Sequence, residues 1–171
     1  MTVGELQALV ARSALIHPLG TAHSFNDIAD TTGVHVSVSA LPGDVDIDAW
    51  AGLAWIPAGM RYGDAARILD AKGLAFHNMA SLGHISVGGS VATGTHGSGD
   101  RNPTLSAAVE ALELVTADGD LVTLARGDDD FPGAVVGIGA LGVVTRCTCS
   151  TTSPTTTSSR ASTTRSRPPT A

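Results

Sequence analysis

The chain has 171 residues, a formal net charge of −6 from 16 acidic and 10 basic side chains, and two cysteines. A single domain of that length can bury a sizeable core, but the acid excess repels a phosphate backbone and excludes DNA or RNA as a partner. Cys147 and Cys149, one residue apart, offer neither a disulfide framework nor a Cys-x-x-Cys metal site.

The start, Met-Thr-Val-Gly-Glu-Leu-Gln, lacks the basic and apolar regions of a leader. The longest near-apolar run, residues 131–144, is glycine-broken and too short for a membrane span, so a soluble, cytoplasmic protein is expected. Leu6, Leu9 and Val10, with Ala14 following, fall at helical spacing and predict a short amphipathic helix. Leu15-Ile16-His17-Pro18-Leu19 then reads as a brief strand running into Gly20-Thr21-Ala22-His23-Ser24-Phe25-Asn26, which sets the His23 imidazole at a sheet edge within reach of a bound molecule. His17 and His35 read as ordinary satisfied or solvated side chains. Val34, Val36 and Val38 alternate with His35 and Ser37, Val45 and Ile47 alternate with Asp46 and Asp48, and residues 53–56 form a third run. Together they predict a meander of short antiparallel strands. Tyr62, Ala65, Ala66 and Leu69 share one face of a helix that stops at Lys72 and Gly73.

Residues 78–99 are too rich in glycine for a helix interior and too apolar for a linker. Glycines 88, 89, 94, 97 and 99 let the backbone approach a ligand and present N–H groups to it, with Ser81, Ser86, Ser90, Thr93, Thr95 and Ser98 along the same run. A tight set of turns beside a sheet accounts for that composition equally well.

Residues 100–103 make a turn. Residues 106–114 fit a strand or a helix, and Leu112, Leu114, Val115 and Thr116 favour a strand entering the hairpin turn Ala117-Asp118-Gly119-Asp120. Asp128 is expected to cap a helix beginning near Phe131. Gly137-Ile138-Gly139-Ala140-Leu141-Gly142 matches the dinucleotide fingerprint by letter, but Val143-Val144-Thr145 follows in place of a helix and no acid occurs after Asp130. A Rossmann reading is therefore rejected. No Walker lysine, H-E-x-x-H, metal-ligand spacing or G-x-S-x-G elbow is present. From Cys147 onward Thr, Ser, Pro and Arg dominate without Leu, Ile, Val, aromatics or carboxylates, so residues 147–171 are expected to be disordered. A change that falls in mid-strand reads as a reading frame lost part-way through a gene.

Residues 20–29, 78–87, 91–99 and 139–145, in that order, resemble the FAD-binding (PCMH-type) domain of the vanillyl-alcohol-oxidase type flavoproteins, and within it the alditol oxidases. The resemblance implies an α+β fold of two subdomains with mixed and antiparallel sheets and flanking helices, spanning residues 1–146 and gripping an extended FAD. It implies that His23 carries a covalent bond to the flavin; an imidazole with an ordinary value of about 6.5 is a good nucleophile near neutral pH. Gly20, Thr21, Ala22 and Ser24 would wrap the diphosphate, with Ala22 tightening a turn where many relatives have glycine. Ser81 would face the substrate hydroxyl near the flavin ring, with Gly83 standing where proline is usual. Ser86, Gly89, Thr93, Gly94, His96 and Gly97 match flavin-contacting positions, His96 as a hydrogen-bonding partner of its loop, and Gly142 with Val143 match the segment near the adenosine half. The function implied is oxidation of a sugar-alcohol CH–OH with oxygen as acceptor, giving hydrogen peroxide. An aldonolactone oxidase and an inactive FAD-binding fragment are the alternatives, because the family's substrate domain and first strands are absent from these 171 residues.

Overall fold

A computed structural model describes residues 1–153. Helix α1 (Val3–Arg12) opens with a capping box in which the Glu5 amide donates to Thr2 Oγ1 (3.2 Å) and the Thr2 amide donates to Glu5 Oε2 (2.7 Å). Acceptance from the Thr2 backbone, aided by the nearby N-terminal ammonium, holds the Glu5 carboxyl below its ordinary value. Leu6 and Val10, one helical turn apart, are buried, and Gln7 Nε2 donates to the Gly119 carbonyl (2.8 Å), tying the helix to a distant turn.

Strands β1 (Ile16–Leu19) and β2 (Val34–Ser37) pair in parallel, Ile16 opposite Val34 and Leu19 opposite Ser37, as a separate two-stranded sheet. This corrects the expected meander. The alternation of valines marks β2 as a strand without naming its partner, and the loop of residues 20–33 carries the chain back to the start of β1, which makes the pairing parallel. Strands β3 (Asp46–Asp48) and β4 (Leu53–Pro57) are the antiparallel pair the sequence predicts. Helix α2 (Tyr62–Asp70) follows, buries Tyr62, Ala65 and Leu69, and gives way to Gly73 at φ +69°. After the short β5 (Ala75–Phe76), residues 87–92 form a helix, α3 (Val87–Ala92), despite Gly88 and Gly89. The expectation that glycine forbids a helix here is overturned by packing: a Cβ on Gly88 would lie 2.7 Å from the Ala58 Cβ, so its absence lets α3 press onto the chain leaving β4.

Strands β6 (Val109–Val115) and β7 (Leu121–Ala125) form the predicted hairpin. Helix α4 (Phe131–Val135) starts at Asp130 without a side-chain cap; Asp128 Oδ2 instead accepts from the Ala125 amide (2.7 Å), so the expected Asp128 cap is corrected to a turn brace. Strand β8 (Val143–Thr152) then runs through the centre of the second sheet, whose order is β3-β4-β8-β6-β7, with β5 also pairing with β8.

Cys147 and Cys149 are therefore not in a disordered segment. They face the core, Cys147 fully buried, opposite Ile56 and Ala54 on β4. Val143, Thr145, Cys147 and Cys149 alternate inward, Thr favours strands and Cys is among the most buried residue types. The rest of the expected disordered segment, residues 154–171, lies outside the described residues.

Two cores result. One lies between the large sheet and α2, α3 and α4, with Tyr62, Leu69, Val87, Val91, Leu112, Phe131 and Cys147; the other joins Leu6, Val10 and Val36 to Val115 and Val143 at the ends of β6 and β8. Among the described residues no helix is long and apolar enough to cross a membrane, and no group of three or more His, Cys, Asp or Glu side chains could hold a metal.

Candidate functional site

A cavity of about 550 Å³ opens where β1 ends beside α3. Gly20 and Gly89 form its floor. A Cβ on Gly20 would fall 2.9 Å from Ser86 Oγ and 3.3 Å from the Gly89 Cα, and one on Gly89 would fall 2.8 Å from Ser86 Oγ. The two bare glycines thus let the loop after β1 and α3 close on each other and on the Ser86 hydroxyl, with backbone where side chains would otherwise stand. Ser86 is 4% exposed and its Oγ has no hydrogen-bond partner among the described residues. A buried hydroxyl left unpaired costs about 1–3 kcal/mol, which a polar ligand atom in the cavity would recover. Thr21 Oγ1 accepts from the Ser86 amide (3.4 Å) and joins the two glycine-bearing segments.

His23 projects from the loop after β1. Its neighbours Ala22 (φ +51°) and Phe25 (φ +54°) both lie in the left-handed region without being glycine. Its ring is flanked by Phe25, centroids 4.5 Å apart, and by His84 in a T-shaped arrangement at 5.0 Å. Thr93 Oγ1 donates to the Gly89 carbonyl (3.0 Å), closing the end of α3, and His96 Nδ1 lies 3.0 Å from the Gly97 carbonyl oxygen, within its own loop.

Of the residues singled out in the sequence, Gly20, Thr21, Ala22, His23, Ser24, Ser81, Ser86, Gly89, Thr93, His96 and Gly142 line this one cavity. Gly94, Gly97 and Val143 do not. Gly94 turns the chain at φ +64° after α3, Gly97 sits against the Met79 carbonyl, 2.3 Å from where its Cβ would stand, and Val143 is buried in the second core. Its neighbour Val144 lines the cavity instead.

Among the wall positions that the sequence does not single out are His17, Ile138 and Arg61. His17 looked like an unremarkable strand residue. Ile138 takes φ +53° in the glycine turn before β8. Arg61 precedes α2, and its place in the cavity comes from a backbone bridge to Ser86 that no local pattern announces. Among the described residues no Asp, Glu or Lys lines the cavity. Ile85, Leu112, Leu114 and Val144 supply an apolar wall, so one cavity offers a polar, glycine-floored end and a greasy surface for a flat ring.

These features fit an FAD. The unpaired Ser86 hydroxyl and the bare Gly20–Gly89 floor suit a diphosphate, the carboxylate-free wall does not repel it, and the apolar residues suit an isoalloxazine.

A family model described as FAD binding domain matches residues 2–125. An alditol oxidase of Streptomyces sp. (strain IKD472 / FERM P-14339) is 53% identical over 150 residues, which is 86% of this chain and 36% of that protein. An L-gulono-1,4-lactone dehydrogenase of Mycobacterium tuberculosis is 36% identical over 151 residues, 86% of this chain and 35% of the relative. An L-gulonolactone oxidase of Mus musculus is 30% identical over 149 residues, covering 84% and 34%. The chain thus spans about a third of the length of the curated relatives it matches. With the family model covering most of an α+β chain whose glycine segments converge on one cavity, the chain belongs to the FAD binding domain family.

Proposed function

We propose that this chain is the cofactor-holding part of an FAD-dependent oxidase of sugar alcohols, which oxidises a CH–OH group and passes the electrons to oxygen, giving hydrogen peroxide. Bound FAD supplies the two-electron acceptor. His23 and Ser81 line the same cavity, and this observation carries the reading: one offers a ring nitrogen for a covalent bond to the flavin, the other a hydroxyl to meet the substrate alcohol. Gly20, Thr21, Ala22, Ser24, Ser86 and Gly89 hold the diphosphate end. Thr93 and His96 keep their segment in shape through bonds to Gly89 and Gly97, Gly94 turns the chain after α3, Gly97 lets it close against Met79, and Gly142 shapes the far end, backed by Val143 in the second core.

The polyol reading is favoured over a lactone reading because the matched region is 53% identical to an alditol oxidase and 36% identical to a lactone dehydrogenase. Peroxide release measured with xylitol, sorbitol and an aldonolactone, using the chain joined to the remaining two-thirds of an alditol oxidase, tests this. Turnover of the polyols alone is expected; turnover of the lactone alone contradicts it.

A further inference from the structure

We infer that Arg61 and Ser86 form the anion-recognition pair of the cavity and that Arg61 neutralises the diphosphate of the dinucleotide cofactor; this rests on the reading of the cavity as an FAD site. The two residues face each other across an antiparallel bridge. The Tyr62 amide donates to the Ile85 carbonyl (3.0 Å) and the Val87 amide to the Met60 carbonyl (2.9 Å), so the flanking bonds make Arg61 and Ser86 a non-hydrogen-bonded pair. Side chains in such a pair lie closest and project to the same side, and here both line the cavity.

Charge leads to the same conclusion. Arg67, Arg126 and Arg146 are ion-paired with Asp64, Glu110 and Glu113, whereas Arg61 has no ion pair or side-chain hydrogen bond among the described residues. Among the described residues it is the one permanently charged side chain lining the cavity, and no carboxylate lines it. A chain of net charge −6 repels a dianion, and an unpaired guanidinium lining the same cavity as the buried, partnerless Ser86 hydroxyl is what the site has to reverse that repulsion. A guanidinium fork bonds phosphate oxygens in pairs; the Thr21 hydroxyl, Gly20 and Gly89 line the same cavity.

The test is titration of the full chain and of Arg61→Gln, both carrying His23→Ala so that binding stays reversible, with FAD, ADP and riboflavin. Arg61→Gln is expected to weaken FAD and ADP about 10- to 100-fold, the worth of a charge-assisted bond. It should leave riboflavin, which has no phosphate, within about twofold, with Arg61→Lys between. The FAD affinity should also fall with added salt less steeply in Arg61→Gln. Arg61 is exposed, so urea midpoints of the variants should agree. Equal FAD affinity in the two proteins, or equal weakening of FAD and riboflavin, overturns the assignment of Arg61. If the parent chain binds no flavin at all, the FAD reading itself falls and the inference goes with it.

Discussion

Ala22 holds φ +51°, where a Cβ costs about 1–2 kcal/mol. Ala22→Gly removes that strain and gives back about 0.5–1 kcal/mol in unfolded-chain entropy, so a net gain of a few tenths to about 1 kcal/mol is expected in urea unfolding; a lower midpoint would show that the loop does not hold this conformation. Gly89→Ala is different in kind. Its Cβ would stand 2.8 Å from the buried Ser86 Oγ and 3.5 Å from the Gly20 Cα, pushing the two segments of the cavity floor apart, so FAD affinity should drop at least tenfold and the urea midpoint should fall with it, as a titration and a urea melt can show. The His23 loop and the Gly-rich run were legible in the sequence because glycine and small hydroxyl residues at those spacings report backbone approach directly. Arg61 was not, since a bridge between residues 61 and 86 is created by the fold and leaves no mark in either segment.

Strand β8 shows what an element can hide. Its second half has no Leu, Ile or Val, yet it is the central strand, hydrogen-bonded to β4 on one side and β6 on the other. A composition rule reads Cys-Thr-Cys-Ser-Thr as solvated; the period of two and the burial of cysteine read it as a strand. A hydrogen bond to Cys149, together with burial, pushes the Cys147 thiol well above its ordinary value, and burial beside the two cysteines raises the Tyr62 phenol as well. A group that binds its proton more tightly folded than unfolded contributes stability below its unfolded value and loses it above. Stability should therefore be level to about pH 8 and then fall, by up to about 1.4 kcal/mol per pH unit for each group, beginning near the unfolded thiol value of about 8.5. Urea midpoints from pH 7.5 to 10.5 measure this, and a flat or rising profile would refute the buried placement of Cys147. Helix α3 lies tight against the chain leaving β4, with the Gly88 amide donating to the Ala58 carbonyl (2.8 Å), so Gly88→Ala, with its Cβ 2.7 Å from Ala58, should cost about 1–3 kcal/mol in the same assay, against little change for Gly133→Ala, which meets nothing within 4 Å.

At the scale of the whole molecule, the cavity joins the parallel β1/β2 unit to α3 and the large sheet. Helices α1 and α2, the start of α4, the hairpin and the α+β class were legible because periodicity and turn chemistry are local. The parallel pairing of β1 with β2 and the way two glycine segments share one floor were not, because partner choice belongs to the assembled chain. A ligand touching both units ties them together: FAD at about 100 times its Kd should add about 2.7 kcal/mol, raising Tm by about 5–10 °C, which a thermal melt with and without FAD will show. The most direct measurement of the central claim is to express the chain, denature it in acid or detergent, and follow flavin fluorescence with the protein band, beside His23→Ala. Fluorescence that stays with the wild-type chain and vanishes in the variant is the predicted result. No retained flavin in the wild type, or flavin equally retained without His23, would contradict it.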